Sequence, residues 1–198
     1  MWLHNKFHFI VAITCFLAIL HATNPLLFAQ VDNIIFEHIN TVVTPYRLLQ
    51  DHYGFIWFGS RYRGLYCYDG YEFFSYQHNP DDENSLSDNS VRAIAEDRDG
   101  NLWIGTILGL NKLQRATGKI QRFLHDPSHA DSPSHNYINA IYIDKAGVLW
   151  FGTQEGGLNE AVVLKSRKDG RDSLACRHYV HDPDDSNSIS HNNVKAIW

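Results

Sequence analysis

The sequence predicts an all-β chain: a partial β-propeller of about three four-stranded blades, with an N-terminal outer strand and the first strand of a fourth blade. Three observations predict this. One pattern recurs in order: Asp51, Gly54, Trp57, Gly59; then Asp97, Gly100, Trp103, Gly105; then Asp144, Gly147, Trp150, Gly152. Its period is long and regular, 46 positions from Trp57 to Trp103 and 47 from Trp103 to Trp150. A strand-rich repeat in the forties marks a propeller or solenoid. Each repeat also holds four short β-forming runs cut by turn residues, the make-up of one propeller blade.

Residues 1–30 stand apart from the repeats. After Lys6, an apolar run extends from Phe9 to Leu20. It is shorter than the roughly 20 residues a spanning helix needs. It reads as a secretory signal peptide with cleavage near Ala29. The alternative is an uncleaved anchor, because no clean small-x-small site is present. Cys15 is a weak lipoprotein cysteine, since the apolar run continues past it. Beyond residue 31, Phe36-Glu-His38 matches the run endings Tyr76-Gln-His78, Phe123-Leu-His125 and Tyr179-Val-His181. Ile34–Ile39 is therefore an expected outer strand that closes the last blade of a ring.

The blades are expected at about 46–78, 91–125 and 138–181. In the middle copy, Val91-Arg-Ala-Ile94 is a strand and Asp97-x-x-Gly100 is a tight turn. Asp bonds its own backbone there and Gly accepts positive φ. Leu102–Thr106, Leu110–Gln114 and Ile120–His125 follow as strands, separated by turns at Gly109 and Thr117-Gly118-Lys119. The repeated Trp is expected between blades, burying roughly 150–250 Å², with the Gly two residues later leaving room for a close backbone. A Trp serving as a sugar platform would have to be exposed. Residues 194–198 open a fourth blade, whose Asp-x-x-Gly would begin near position 200. The chain thus reads as the N-terminal part of a longer protein, because a ring takes roughly 4–8 blades.

The 198 residues are 44% hydrophobic and 13% aromatic, enough for a sizeable core. A net charge of −5 gives no electrostatic case for nucleic acid. Without the leader, Cys67 and Cys176 remain. They fall in different blades and read as buried thiols. His78, His125 and His181 recur one blade apart, so they are not expected to converge on a metal, and no cofactor is expected. No Gly-x-Ser-x-Gly, P-loop or His-Glu-x-x-His occurs, and no catalytic residue is assigned.

The long polar connections 79–89, 126–136 and 182–192 share one end of the blades with the second-to-third-strand loops. Long loops on a rigid scaffold often carry function. Arg61-Tyr62-Arg63 departs there from its counterparts, Ile107-Leu108 and Gln154-Glu155-Gly156. Two guanidinium groups beside a Tyr suit an acidic or sugar ligand, so Arg61, Tyr62 and Arg63 are the candidate ligand-binding residues. The competing reading is a solvated turn. An insertion near Lys165–Asp172 reads as a solvated hairpin extension at the opposite end.

The run Asn84-Ser-Leu-Ser-Asp-Asn-Ser-Val-Arg-Ala-Ile94, then Asp97-x-x-Gly100-Asn-Leu-Trp-Ile-Gly-Thr106, then Gly109-Leu110-Asn closely resembles the two-component regulator propeller repeat. The resemblance covers about residues 34–198. It implies the periplasmic sensor region of a hybrid two-component histidine kinase, secreted across the inner membrane and acting in a phosphorelay. It further implies an oligosaccharide or other small extracytoplasmic ligand, a homodimer, no nucleic-acid contact by these residues, and membrane anchoring and kinase activity outside this chain. No kinase motif or receiver Asp is present here. An interaction scaffold or a propeller lyase or hydrolase remains as an alternative. The enzyme reading would need His and carboxylates converging at the ring centre.

Overall fold

Leu, β-branched and aromatic runs cut by Gly-containing turns become strands throughout residues 44–166 and 170–198, the residues described by a computed structural model. The expected signal peptide and the closing strand Ile34–Ile39 lie outside the described residues. All the sheets belong to one unit, Thr41–Trp198. The first contains β1 (Pro45–Gln50), β2 (Ile56–Ser60), β3 (Leu65–Tyr68) and β4 (Phe73–Tyr76). The second contains β5 (Val91–Glu96), β6 (Leu102–Thr106), β7 (Gly109–Gln114) and β8 (Lys119–Phe123). The third contains β9 (Ile138–Ile143), β10 (Leu149–Thr153), β11 (Leu158–Leu164) and β12 (Ser173–Tyr179). Every sheet is antiparallel with its strands side by side in chain order, so each is a propeller blade.

The repeated Asp turns out to be a three-way staple. In the second blade, Asp97 Oδ1 accepts the amides of Asp99 (3.0 Å) and Asn101 (2.9 Å), while Oδ2 accepts Trp103 Nε1–H (3.2 Å). Asp51 holds Trp57 in the same way at 2.8 Å, and Asp144 holds Trp150 at 3.2 Å. The carboxylate thus closes the turn and fixes the indole that follows. Gly54, Gly100 and Gly147 complete these turns at φ of +90°, +78° and +88°, conformations that favour Gly.

Trp57 and Trp103 lie between blades, as the sequence predicts. Trp57, Leu65 and Cys67 of the first blade pack with Leu102, Ile104, Leu113 and Ile120 of the second. Trp103, Leu110 and Phe123 of the second pack with Leu149, Phe151 and Ala161 of the third. The Gly two residues after each Trp allows close approach. A Cβ on Gly59, Gly105 or Gly152 would lie 2.4, 2.7 or 2.6 Å from Val91, Ile138 or Val194. The first strands therefore face one another, β1 against β5 and β5 against β9. Val194–Trp198 takes no partner strand among the described residues. Val194 still fills the equivalent place, donating its amide to Thr153 O at 2.9 Å.

The long inter-blade connections are self-bonded. His78, His125 and His181 each place Nδ1 2.7–2.8 Å from a carbonyl eight residues on, those of Leu86, Pro133 and Ile189. Their amides donate to Asn89, Asn136 and Asn192. The repeated His is thus a loop tether. The following blade also holds the loop: Asn111 bonds Ser87, and Asn159 bonds Ser134.

The insertion between β11 and β12 is exposed at Lys165, Gly170 and Arg171, as expected of a solvated extension, and departs from it at Asp172. Asp172 reaches back to the second blade, where its carboxylate meets Lys112 Nζ at 2.6 Å, both side chains nearly excluded from solvent. Its amide donates to Gln121 Oε1 at 2.9 Å. A polar run conceals this packing, because its charges are matched by a Lys on the neighbouring blade. Cys67 is buried, and burial pushes its thiol up to about 11. Cys176 is half-buried rather than buried, with its thiol pushed up to about 12 by the same cause.

Candidate functional site

Each first strand begins with an irregularity. Pro45 pairs with Ser60 and Arg47 with Gly59, leaving Tyr46 as an extra residue. Val91 pairs with Thr106 and Ala93 with Gly105, leaving Arg92. Ile138 pairs with Thr153 and Ala140 with Gly152, leaving Asn139. A bulge of this kind bends the strand and re-aims a side chain. Lys195 holds the same place in the fourth repeat, between Val194 and Ala196.

These four positions meet. Tyr46, Arg92, Asn139 and Lys195 line one open cavity of about 410 Å³, together with Arg47, Tyr137, Gln154 and Asn193. It lies at the end of the blades where the long connections enter the first strands. Arg92 lies 5.0 Å from the Tyr46 ring centroid and 5.3 Å from that of Tyr137. Its Nη2 also donates to Tyr137 Oη at 2.6 Å. Asn139 Nδ2 donates to Asn193 Oδ1 at 3.1 Å. Arg47, Arg92 and Lys195 form no ion pair among the described residues, and no carboxylate, Cys or His lines the cavity. The arrangement offers cationic and amide donors beside aromatic faces, and it holds no nucleophile paired with a base.

The residues singled out from the sequence sit next to it. Arg61, Tyr62 and Arg63 are exposed in the β2–β3 loop, at the end where the sequence places them. Ser60 Oγ accepts the amides of Tyr62 (3.3 Å) and Arg63 (3.2 Å), and the Arg61 guanidinium lies 5.7 Å from the Tyr62 ring centroid. With Thr44, Pro45 and Tyr46 they line a shallow depression of about 480 Å³. Tyr46 belongs to both hollows. Sequence reasoning passed over Arg92, Asn139 and Lys195, although a signal was present. Between the fixed apolar residue and Ala of Val91-Arg-Ala, Ile138-Asn-Ala and Val194-Lys-Ala, the middle residue changes in every copy.

The comparisons with known proteins concern this frame. A family model described as "Two component regulator propeller" matches residues 85–107 and 132–155. The search of curated proteins gave no match. Among solved structures, virginiamycin B lyase from Staphylococcus aureus is 16% identical over 71% of this chain and 42% of its own, with a TM-score of 0.47. The extracellular domain of a hybrid two component system from B. thetaiotaomicron is 19% identical over 82% of this chain and 32% of its own, at a TM-score of 0.40. A second such domain from that organism is 16% identical, covering 81% and 36%, at 0.35. The chain spans less than half the length of each. Both matched segments carry the strand, turn and loop residues described above, so residues 85–107 and 132–155 are similar to two-component regulator propeller repeats.

Proposed function

We propose that this chain is a periplasmic ligand-sensing propeller of a two-component signalling protein, responsive to a glycan and not itself catalytic. The observation that carries the reading is the cavity at the first-strand bulges, where residues of four successive repeats meet in one donor-rich hollow. Sugars are bound by hydrogen-bonding side chains set beside aromatic rings, and the hollow supplies both. Its lining lacks the paired acid and base that lyase or hydrolase chemistry requires. The apolar run Phe9–Leu20 fits export across the inner membrane, and histidine kinase activity would reside outside these residues. The homodimer and the membrane anchor implied by the resemblance belong to the same proposal. Arg61, Tyr62 and Arg63 would form an outer subsite, joined to the cavity through Tyr46.

Calorimetric titration of the protein with a panel of neutral and acidic oligosaccharides tests this. Saturable binding with every sugar recovered intact supports a sensor. Cleavage of the bound sugar would move the assignment to an enzyme, and no binding across the panel would remove the glycan from it.

A further inference from the structure

The bulge position does something that the rest of the repeat does not. Asp, Trp and Gly of each copy serve the frame, but the bulged residue is freed from the ladder and turned into the cavity. Four successive repeats place Tyr46, Arg92, Asn139 and Lys195 there. We propose that these four residues are the ligand-reading positions of the propeller and that they select a saccharide ring bearing an anionic oxygen group, a carboxylate or a sulfate. This rests on the glycan-sensing reading and adds the charge class and the residues that read it.

Charge and geometry carry the argument. Three cationic side chains, Arg47, Arg92 and Lys195, line one hollow with no carboxylate among the lining residues. In a chain whose net charge is −5, that is a local reversal of sign. Arg92 is half-buried and held in place by Tyr46, Tyr137 and the Tyr137 hydroxyl. A guanidinium fixed in this way is pre-organised to grip an oxyanion with two parallel donors. Lys195 is exposed at the rim and adds a mobile positive charge. The Tyr46 ring gathers two of these cations, with the Arg47 guanidinium 4.5 Å and the Arg92 guanidinium 5.0 Å from its centroid, and Asn139 offers an amide for the sugar hydroxyls. A neutral sugar would bring no counter-charge to the three cations, so the site discriminates by charge.

The test is calorimetric titration of the protein with digalacturonate, a sulfated disaccharide, cellobiose and sodium sulfate. Both acidic disaccharides should bind, weaken as salt rises, and exceed cellobiose. Arg92→Gln should weaken acidic binding roughly 10–100-fold, the range expected for losing hydrogen bonds to a charged group. Because Arg92 also packs, Lys195→Gln provides a variant without a folding role, and it should weaken the same ligands more than cellobiose. If only one acidic disaccharide binds, the selected anion is that one, which still supports the site. If cellobiose binds as tightly and neither variant changes affinity, the charge-reading site is overturned while sugar sensing stands. If sodium sulfate alone matches the disaccharides, the saccharide part falls. If no sugar of either kind binds, this inference and the sensing reading fall together.

Discussion

Asp97 shows how much one residue of the repeat carries. Its two carboxylate oxygens take two backbone amides and the indole of a Trp that is 1% exposed. Replacing it with Ala leaves the Trp103 N–H without its partner in the core and opens the turn. Asp97→Ala should therefore cost about 2–3 kcal/mol, measured by urea unfolding. Trp103→Phe, which keeps most of the apolar fill and the turn, should cost less. Strictly additive losses in the double variant, Asp97→Ala with Trp103→Phe, would mean that the carboxylate does not staple the indole. Trp150 keeps the same Asp144 bond but is only half-buried, so Trp150→Ala should cost less than Trp103→Ala. The repeated Asp and Trp were legible in the sequence, but their bond was not. A spacing of six residues joins them only once the turn has folded the chain back.

At the scale of the element, the strap between β11 and β12 ties two blades together. Lys112 and Asp172 form a nearly buried pair, and Lys112 Nζ also lies 5.4 Å from the Trp103 ring centroid. Removing one member of a buried pair strands the other, at a cost of about 3–5 kcal/mol. Asp172→Ala should show a loss of that order in chemical unfolding. The double change Lys112→Met with Asp172→Leu should recover most of it, because an apolar pair leaves no stranded charge. If the double variant is no more stable than Asp172→Ala, the pair is not the strap's anchor. Nearby, Lys165 pairs with Asp99 in the Asp-x-x-Gly turn of the second blade, so the strap touches that blade twice. The sequence located the insertion but not its packing, since a charged run looks the same whether its partner is water or a Lys on the next blade.

Across the whole molecule, strand order, blade number and Trp placement were legible because the repeat states them three times. The cavity was harder to see, because its residues lie 46, 47 and 56 positions apart from Tyr46 to Lys195 and meet only when successive blades stack. The repeated carboxylates have a further, collective consequence. Asp51 is wholly buried and its carboxyl sits below the usual range: burial raises it, but the Trp57 indole, the Phe55 amide and the Arg115 guanidinium together outweigh that. Asp144 is lowered chiefly by the Val148 amide, and Asp99 by Lys165. Asp126 is held at about 2 by the Ser128 hydroxyl and amide and by His129. In the unfolded chain each returns to roughly 3.9. A group depressed in the folded state contributes its stabilisation above the unfolded value and loses it as pH falls through the folded one. The unfolded chain therefore binds more protons in this window, and stability should fall steadily between about pH 4 and pH 2, while these groups give no slope near neutrality. Thermal unfolding followed by circular dichroism across that range measures the slope. Asp126→Asn keeps an oxygen for the Ser128 amide but cannot titrate, so it should flatten the slope even if it lowers the midpoint at pH 7. An acid slope identical to that of the parent would show that Asp126 does not contribute to the acid limit of the fold.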